Sequence, residues 1–266
     1  TNPKNLKFIQ KSILDKNLAA CFREADEIFH FAADPLVKES AFKPVENFNE
    51  NVVGTINVLE AARKADVKRI TFASTSTVYG DARVIPTPES YPMLPISNYG
   101  ASKLAGEAYV CSYAHTYGIN SVSLRYANIF GPRSLHGVMH DFHHKLKKNK
   151  KKLEILGNGK QTKSYLYISD CINATLLCHK QKKNYDFFNI GSRSTTTALE
   201  IANMVCSYMK LKPKLTFTGG KRGWIGDVPK MLLDIKKLEN IGWKEKIHFE
   251  QGLIHYLDWL SGKSNR

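Results

Sequence analysis

A chain of 266 residues with 42% hydrophobic and 24% charged content has the length for one large domain or two smaller ones and the make-up of an ordinary globular protein. Its apolar runs are too short to cross a bilayer, and the opening TNPKNLKF does not read as a signal peptide. The net charge of +15 is compatible with a nucleic acid, an anionic membrane surface or a phosphate-bearing substrate. Its densest run, Lys145 to Lys152, lacks stacking aromatics and reads as a solvated face, so neither nucleic acid nor membrane is expected as a partner.

Taken in order, Leu6 to Ile9 reads as a short strand and Leu18 to Glu24 as a helix. Glu27 to Phe31 is nearly continuous in apolar character, as a parallel strand covered on both faces is, and runs into the small-residue turn Ala32-Ala33-Asp34-Pro35. Val45 to Lys64 carries helical spacing through Val52, Ile56, Leu59 and Ala62. Arg69 to Ala73 is the next strand, and it delivers the hydroxyls of Ser74, Thr75 and Ser76. Asn98 to Tyr117 is a helix and Ser121 to Tyr126 a strand. Such alternation predicts a parallel α/β sheet, with ligands beyond the carboxyl ends of its strands. Ala32-Ala33, Ser74-Thr75 and Tyr126 to Asn128 all fall at such ends.

After Gly131 the alternation becomes irregular. Asp141 to Lys152 reads as helix, Leu153 to Leu156 as extended, and Gly157-Asn-Gly159 as a turn. Tyr165 to Ile168 is extended and leads into a helix through Leu177, and Phe187 to Ile190 is a returning strand. Thr197 and Glu200 have capping-box spacing before a helix over Leu199 to Met209. A glycine-rich loop spans Gly219 to Pro229, and Lys236 to Trp243 and Phe249 to Leu260 are helical. No repeats or linker interrupt the chain, so the second half reads as a smaller lobe interleaved with the first.

Tyr99 and Lys103, four apart on one helix, share a face. An ammonium beside a phenol, opposite a cluster of hydroxyls, favours phenolate and proton transfer, although a free tyrosine, with a pKa of about 10, is a poor base. Spacing alone is weak evidence, since a surface helix pair is the commoner meaning and Tyr208 with Lys212 repeats it without a hydroxyl strand nearby. Four histidines, His136, His140, His143 and His144, cluster without a supporting cysteine, and no metal is expected. Five cysteines, odd in number and without a CxxC pair, suit free thiols in a reducing compartment, hence a cytoplasmic location.

The ordered series HFAAD, NENVVGTINVLEAA, FASTSTVYG, SNYGASKLAGE, RYANIFGPR and RGWIGDVP resembles the extended short-chain dehydrogenase/reductase superfamily over about Phe8 to Leu260. Within it the chain is most similar to the NAD-dependent nucleotide-sugar epimerases and dehydratases, especially UDP-glucose 4-epimerases. The resemblance implies a Rossmann-like doubly wound parallel sheet with a smaller interleaved C-terminal α/β lobe for the substrate. Residues 1–131 then form the NAD-binding domain, with 186–210 returning to it, and 132–185 and 211–266 form mainly the substrate lobe.

The same resemblance assigns roles. Tyr99 is the catalytic base, Lys103 holds the cofactor ribose and lowers the tyrosine's pKa, and Thr75 hydrogen-bonds the reacting sugar hydroxyl with Ser74 beside it. Ala32, Ala33, Asn51 and Tyr126 lie along NAD, and Asn128 touches the phosphate of the nucleotide sugar. Lys163 stands where the family carries an arginine on the diphosphate, a point charge in place of a fork. Arg222 and Asp227 resemble a second gripping arginine and its neighbouring carboxylate. Dehydratases of this group carry Asp-Glu after the catalytic threonine. Ser76 and Thr77 occupy those positions here, which favours epimerisation of a UDP-hexose over dehydration.

Three further expectations follow. The family forms homodimers, here through Val45 to Lys64 and Asn98 to Tyr117. A reductase or dehydratase on another nucleotide sugar is the alternative enzyme, and a non-catalytic nucleic-acid-binding relative the alternative from another class. The strand and G-x-x-G-x-x-G turn that open a family member do not occur in these residues, which begin at what reads as the third strand, so roughly 40 to 50 residues of the dinucleotide half are not represented.

Overall fold

The computed structural model describes residues 5–224 and 226–263. A single 3₁₀ turn, Leu18–Cys21, precedes β1 (Glu27–His30). A long helical stretch follows as α1 (Pro44–Phe48), a π-helical turn (Asn49–Val53) and α2 (Gly54–Lys64). Proline starts it at a position where no intrahelical N–H is needed. Next come β2 (Arg69–Thr75), α3 (Asn98–Tyr117) and β3 (Asn120–Tyr126). Ser97 caps α3 by accepting from the Gly100 amide at 3.1 Å, and Gly118 closes it with a left-handed φ of 71° that a Cβ would disfavour.

The remaining elements are β4 (Asn128–Phe130), α4 (Val138–Lys148), β5 (Lys152–Ile155), β6 (Thr162–Lys163), β7 (Tyr165–Tyr167), α5 (Ile168–His179), β8 (Tyr185–Ile190), β9 (Thr196–Thr197), α6 (Ala198–Tyr208), β10 (Lys214–Phe217), β11 (Lys230–Met231), α7 (Lys236–Asn240) and α8 (Phe249–Leu260). β1, β2, β3 and β8 form one parallel sheet in that spatial order. Ile70, Phe72 and Leu124 are fully buried in its two central strands, and Phe188 in β8 is 1% exposed, as strands covered on both faces require. In the β2–β3 register Ser74 pairs with Arg125 and Thr75 with Tyr126, so both strands deliver their last residues to the same edge.

A separate cluster joins α4, β5, α6 and α8 through Phe142, Leu153, Ile201 and Leu253. The predicted capping box forms at the start of α6: the Glu200 amide donates to Thr197 Oγ1 at 3.1 Å, and the Thr197 amide to Glu200 at 2.7 Å. β8 lies in the first sheet, whereas α6 belongs to this second cluster.

Several boundaries differ from expectation. Leu6 to Ile9 is no strand: it pairs with none among the described residues and leaves Leu6 and Phe8 63% and 84% exposed. The helix predicted from Asp141 to Lys152 begins earlier, after Gly137, and stops at Lys148 because Asn149 turns extended and Lys152 enters β5. α7 ends at Asn240, ahead of Gly242 with its φ of 93°. β4 and β10, unseen in the sequence, pair in parallel with β7 and β5. Among the described residues no helix is long and apolar enough to cross a membrane.

Candidate active site

β2, α3 and the ends of β1 and β3 enclose a cleft of about 540 Å³. Thr75, Tyr99, Lys103 and Tyr126 line it, with Phe31 and Ala33 after β1 and Ile172 and Leu176 from α5. Thr75 ends β2 and caps the following 3₁₀ turn, accepting from the Thr77 amide at 3.2 Å, which fixes its hydroxyl at the sheet edge. Tyr99 and Lys103 lie on successive turns of α3. The helix packs close to β2 at Gly106, where a Cβ would stand 2.7 Å from Phe72 Cζ. That approach lays the Phe72 ring beneath Lys103, whose Nζ lies 4.2 Å from the ring centroid.

Lys103 is 2% exposed, and among the described residues its ammonium has neither hydrogen-bond nor ion-pair partner. Burial pulls its pKa down to about 7, partly opposed by Glu107. His30, behind it, bonds Thr55 at 3.0 Å and is held neutral by burial and by Lys103, its pKa near 3. The expectation that Lys103 lowers the pKa of Tyr99 concerns the cofactor-bound site; in the free chain other groups set it. The phenol is pushed up, chiefly by burial and further by the Asp34 carboxylate, while the Thr75 hydroxyl pulls it down.

Beneath the cleft runs a buried polar chain that sequence reading missed. Ser74 Oγ donates to Glu107 Oε2 at 2.7 Å, and Arg125 pairs with the same carboxylate through Nε at 3.1 Å and through Nη2. Arg125 Nη1 donates to Tyr79 Oη at 2.8 Å, and Tyr79 donates to Asn189 at 2.7 Å. The side chains of Arg125 and Glu107 are 2% and 4% exposed. The available signals were the turn-by-turn spacing of Tyr99, Lys103 and Glu107 and a lone arginine in the apolar strand Ser121 to Tyr126.

Not every expected cofactor residue faces the cleft. Ala33 does, while Ala32 does not line it. Ser74 lines it, but its hydroxyl is spent on Glu107. Asn51, 1% exposed, fastens the Asp34 turn, accepting from its amide at 2.7 Å and donating to Ser102 at 3.0 Å. Its side chain is structural in this state. Tyr126 lines the cleft with its hydroxyl bonded to Thr175 at 2.8 Å.

The cleft opens past Thr75, Tyr99 and Ile129 into a second space of about 510 Å³ lined by Asn128, Lys163, Tyr165 and Trp224. That space adjoins a third of about 420 Å³ reaching Asp227 and Gln161. Asn128 donates to the Ser164 carbonyl at 3.0 Å. Lys163 pairs with Asp227 at 2.5 Å, and Asp227 also accepts from the Gly223 amide at 2.9 Å. Arg222 and Asp227, matched to a gripping arginine and its neighbouring carboxylate, take different partners in the structure. Arg222 lines none of these spaces and forks onto Asp81, reaching only the backbone carbonyl of Asp227, because Lys163 already occupies the carboxylate. Among the described residues Gln161 Oε1 and Trp224 Nε1 are buried without partners, and both residues line the third space, an acceptor and a donor that sequence did not signal.

Other candidates fall away from the site. Tyr208 ends α6 and donates to Asp258 at 2.6 Å, with Lys212 beyond the helix. His143 is buried and His140 stacks on His144 at 5.8 Å, and among the described residues no cluster suits a metal ion. The basic run continues α4 into solvent, with Leu146 alone buried.

A buried cation with no internal partner, opening onto an elongated cleft walled by aromatic and aliphatic groups, fits a polar cofactor with flat rings. The family described as GDP-mannose 4,6 dehydratase matches residues 1–255. A protein of Methanocaldococcus jannaschii called a putative UDP-glucose 4-epimerase is 34% identical, over 99% of this chain and 86% of its own. The UDP-glucose 4-epimerase of Thermotoga maritima, solved with UDP-glucose, superposes with a TM-score of 0.90 at 30% identity, covering 98% of this chain and 86% of that one. The Thermus thermophilus UDP-glucose 4-epimerase, solved with NAD, superposes at 0.88 and 31% identity, over 98% and 86% of the two chains. The chain therefore belongs to the GDP-mannose 4,6-dehydratase family, the NAD-dependent nucleotide-sugar epimerases and dehydratases of the extended short-chain dehydrogenase/reductase class.

Proposed function

We propose that this protein epimerises a nucleotide hexose at C4, interconverting UDP-glucose and UDP-galactose through a transient 4-keto sugar, with Tyr99 as the base. The observation that supports this best is the meeting of Thr75, Tyr99 and Lys103 at one cleft, continuous with the space lined by Asn128 and Lys163. Bound NAD supplies the reversible hydride acceptor and a cationic ring. Thr75 orients the C4 hydroxyl, and Tyr99 Oη takes its proton and returns it once the other face of the sugar is presented. Burial keeps the phenol protonated in the free chain, so positive charge arriving with the ligand is needed to release the base. Lys103 offers N–H donors to the cofactor, while Ala33 and Tyr126 shape its cleft. Asn128 and Lys163 hold the diphosphate end, with Asp227 acting through Lys163.

Ser76 and Thr77 supply only neutral hydroxyls after Thr75, and Thr77 Oγ1 is engaged with Thr75 Oγ1 at 3.1 Å, which favours epimerisation over water loss. The same reading assigns the four-stranded sheet to NAD and the α4–α8 cluster to the substrate. It also pairs two subunits through α2 and α3, where Tyr109 and Tyr117 are 43% and 50% exposed. Incubation with UDP-galactose is expected to yield UDP-glucose, and Tyr99→Phe to lower kcat by about 10²–10⁴-fold. Unchanged turnover in Tyr99→Phe removes the proposed base, and a stable keto product in place of UDP-glucose removes the epimerase.

A further inference from the structure

Tyr99, Lys103 and Glu107 follow one another at successive turns of α3. Lysine and glutamate four apart on a helix ordinarily pair with each other. Here they do not. The Glu107 carboxylate is drawn the other way, taking Ser74 Oγ at 2.7 Å and Arg125 Nε at 3.1 and 3.2 Å, with Nη2 closing the fork. Arg125 is itself fixed from its far side by Tyr79 at 2.8 Å and by the Glu89 carbonyl at 2.9 Å. Lys103, left without its helix neighbour, rests on the Phe72 ring at the cleft wall.

We propose that Arg125 and Ser74 are positioning residues for Lys103: by holding Glu107 they deny Lys103 the carboxylate that its own helix supplies, and so keep its ammonium free for a ligand in the cleft. This rests on Lys103 serving the cleft, as in the reading above, but is read without turnover. The groups facing Lys103 are few. His30 on β1 is neutral and occupied with Thr55, Tyr99 is protonated, the Phe72 ring is uncharged, and Glu107 is the carboxylate within one turn. Its capture by Arg125 therefore decides how strongly Lys103 holds its proton. The suppressed pKa of Lys103 agrees, with burial outweighing the opposing pull of Glu107.

The test is competitive acetylation of the whole protein between about pH 5 and about pH 10, with the Lys103 peptide read by mass spectrometry. Arg125→Met releases Glu107 to Lys103. The Lys103 titration is then expected to move up by about one pH unit, which makes Lys103 about fivefold less reactive near pH 7. Arg125→Met/Glu107→Leu removes the competing carboxylate as well and is expected to return the titration to that of the unaltered protein or below it. Ser74→Ala loosens one hold and moves it upward by less. A general loss of structure would give all lysines ordinary titrations in both arginine variants, so the return in the double variant separates positioning from collapse. If Arg125→Met loses its native circular dichroism spectrum, Ser74→Ala decides. Equal Lys103 reactivity in Ser74→Ala and the unaltered protein, or a double variant as slow as the single, overturns the proposal. Unchanged turnover in Tyr99→Phe would remove the proposed base but leave this proposal standing, because the Lys103 titration is read without turnover.

Discussion

Lys103 and Lys163 face connected spaces, and each has one carboxylate within reach, yet only the second is paired. Asp227 holds Lys163 at 2.5 Å, whereas Glu107, one turn from Lys103, is held by Arg125 and Ser74. Lys163 gains its neutralising partner from a loop about sixty residues away, and its side chain stays 17% exposed. Lys103 is more deeply buried and carries the cost of charge without an ion pair. The difference shows what keeps a buried cation available: its neighbouring carboxylate has to be satisfied elsewhere. In the proposed reading, one lysine is ready for a ligand before the ligand arrives, while the other must exchange Asp227 for it.

The contrast can be broken most forcefully at Arg125. Arg125→Met alone leaves Glu107 with only the nearby Lys103, itself poorly charged, for a partner and is expected to cost about 3–5 kcal/mol of unfolding free energy, most of it recovered in Arg125→Met/Glu107→Leu, as read by urea denaturation. No recovery would mean that the pair stabilises by shape rather than by charge. Lys103→Met comes next. The pKa of Lys103 falls from its ordinary 10.5 to about 7 on folding, so between those values the unfolded chain binds a proton that the folded chain does not. Stability then rises with pH across that window. Lys103→Met is expected to flatten this slope and to stabilise the free protein below about pH 7 by on the order of 2–4 kcal/mol. A slope that persists in the variant would acquit Lys103.

Gly106→Ala tests the floor under Lys103. A Cβ 2.7 Å from Phe72 Cζ must push the ring or the helix, at about 1–3 kcal/mol in thermal unfolding. An unchanged melting temperature would show that β2 and α3 are not held at contact there. The smallest effect is expected from Asp227→Asn, which frees Lys163 while keeping an acceptor for the Gly223 amide. UDP binding by calorimetry should tighten by up to about tenfold, near 1 kcal/mol. Weaker binding would make Asp227 a ligand contact in its own right.

The parallel sheet was legible from strand alternation, and Tyr99 with Lys103 from one helical turn; choosing that pair over Tyr208 and Lys212, and joining Thr75 to it, rested on the family resemblance. What was not legible depends on register and on loops. Arg125 reaches Glu107 only because β3 lies beside β2 with Arg125 opposite Ser74, a pairing that no spacing within either segment encodes. Arg222 finds Asp81 from 141 residues away, so its displacement from the Asp227 carboxylate is a matter of how the glycine-rich loop folds back. Asn51 carried the polarity of a ligand group but is consumed by the Asp34 turn, since a buried amide takes the nearest unpaired backbone. β10 escaped notice because its four residues, within the five between Pro213 and Gly219, carry too little alternation to announce a strand.

The β2–β3 register has a consequence for how this protein can change. Ser74 opposite Arg125 forms one row across the sheet edge, and Thr75 opposite Tyr126 forms the next, pointing to the other face. The first row anchors; the second lines the cleft and, in the proposed reading, meets the guest. Gaining or losing a single residue within Asn120–Tyr126 would turn Arg125 and Tyr126 to opposite faces while Ser74, Thr75 and Glu107 stayed in place, breaking the arginine–glutamate pair. Drift in substrate preference is thus open to point substitution in the second row, while insertions and deletions are confined to the connections outside the strand.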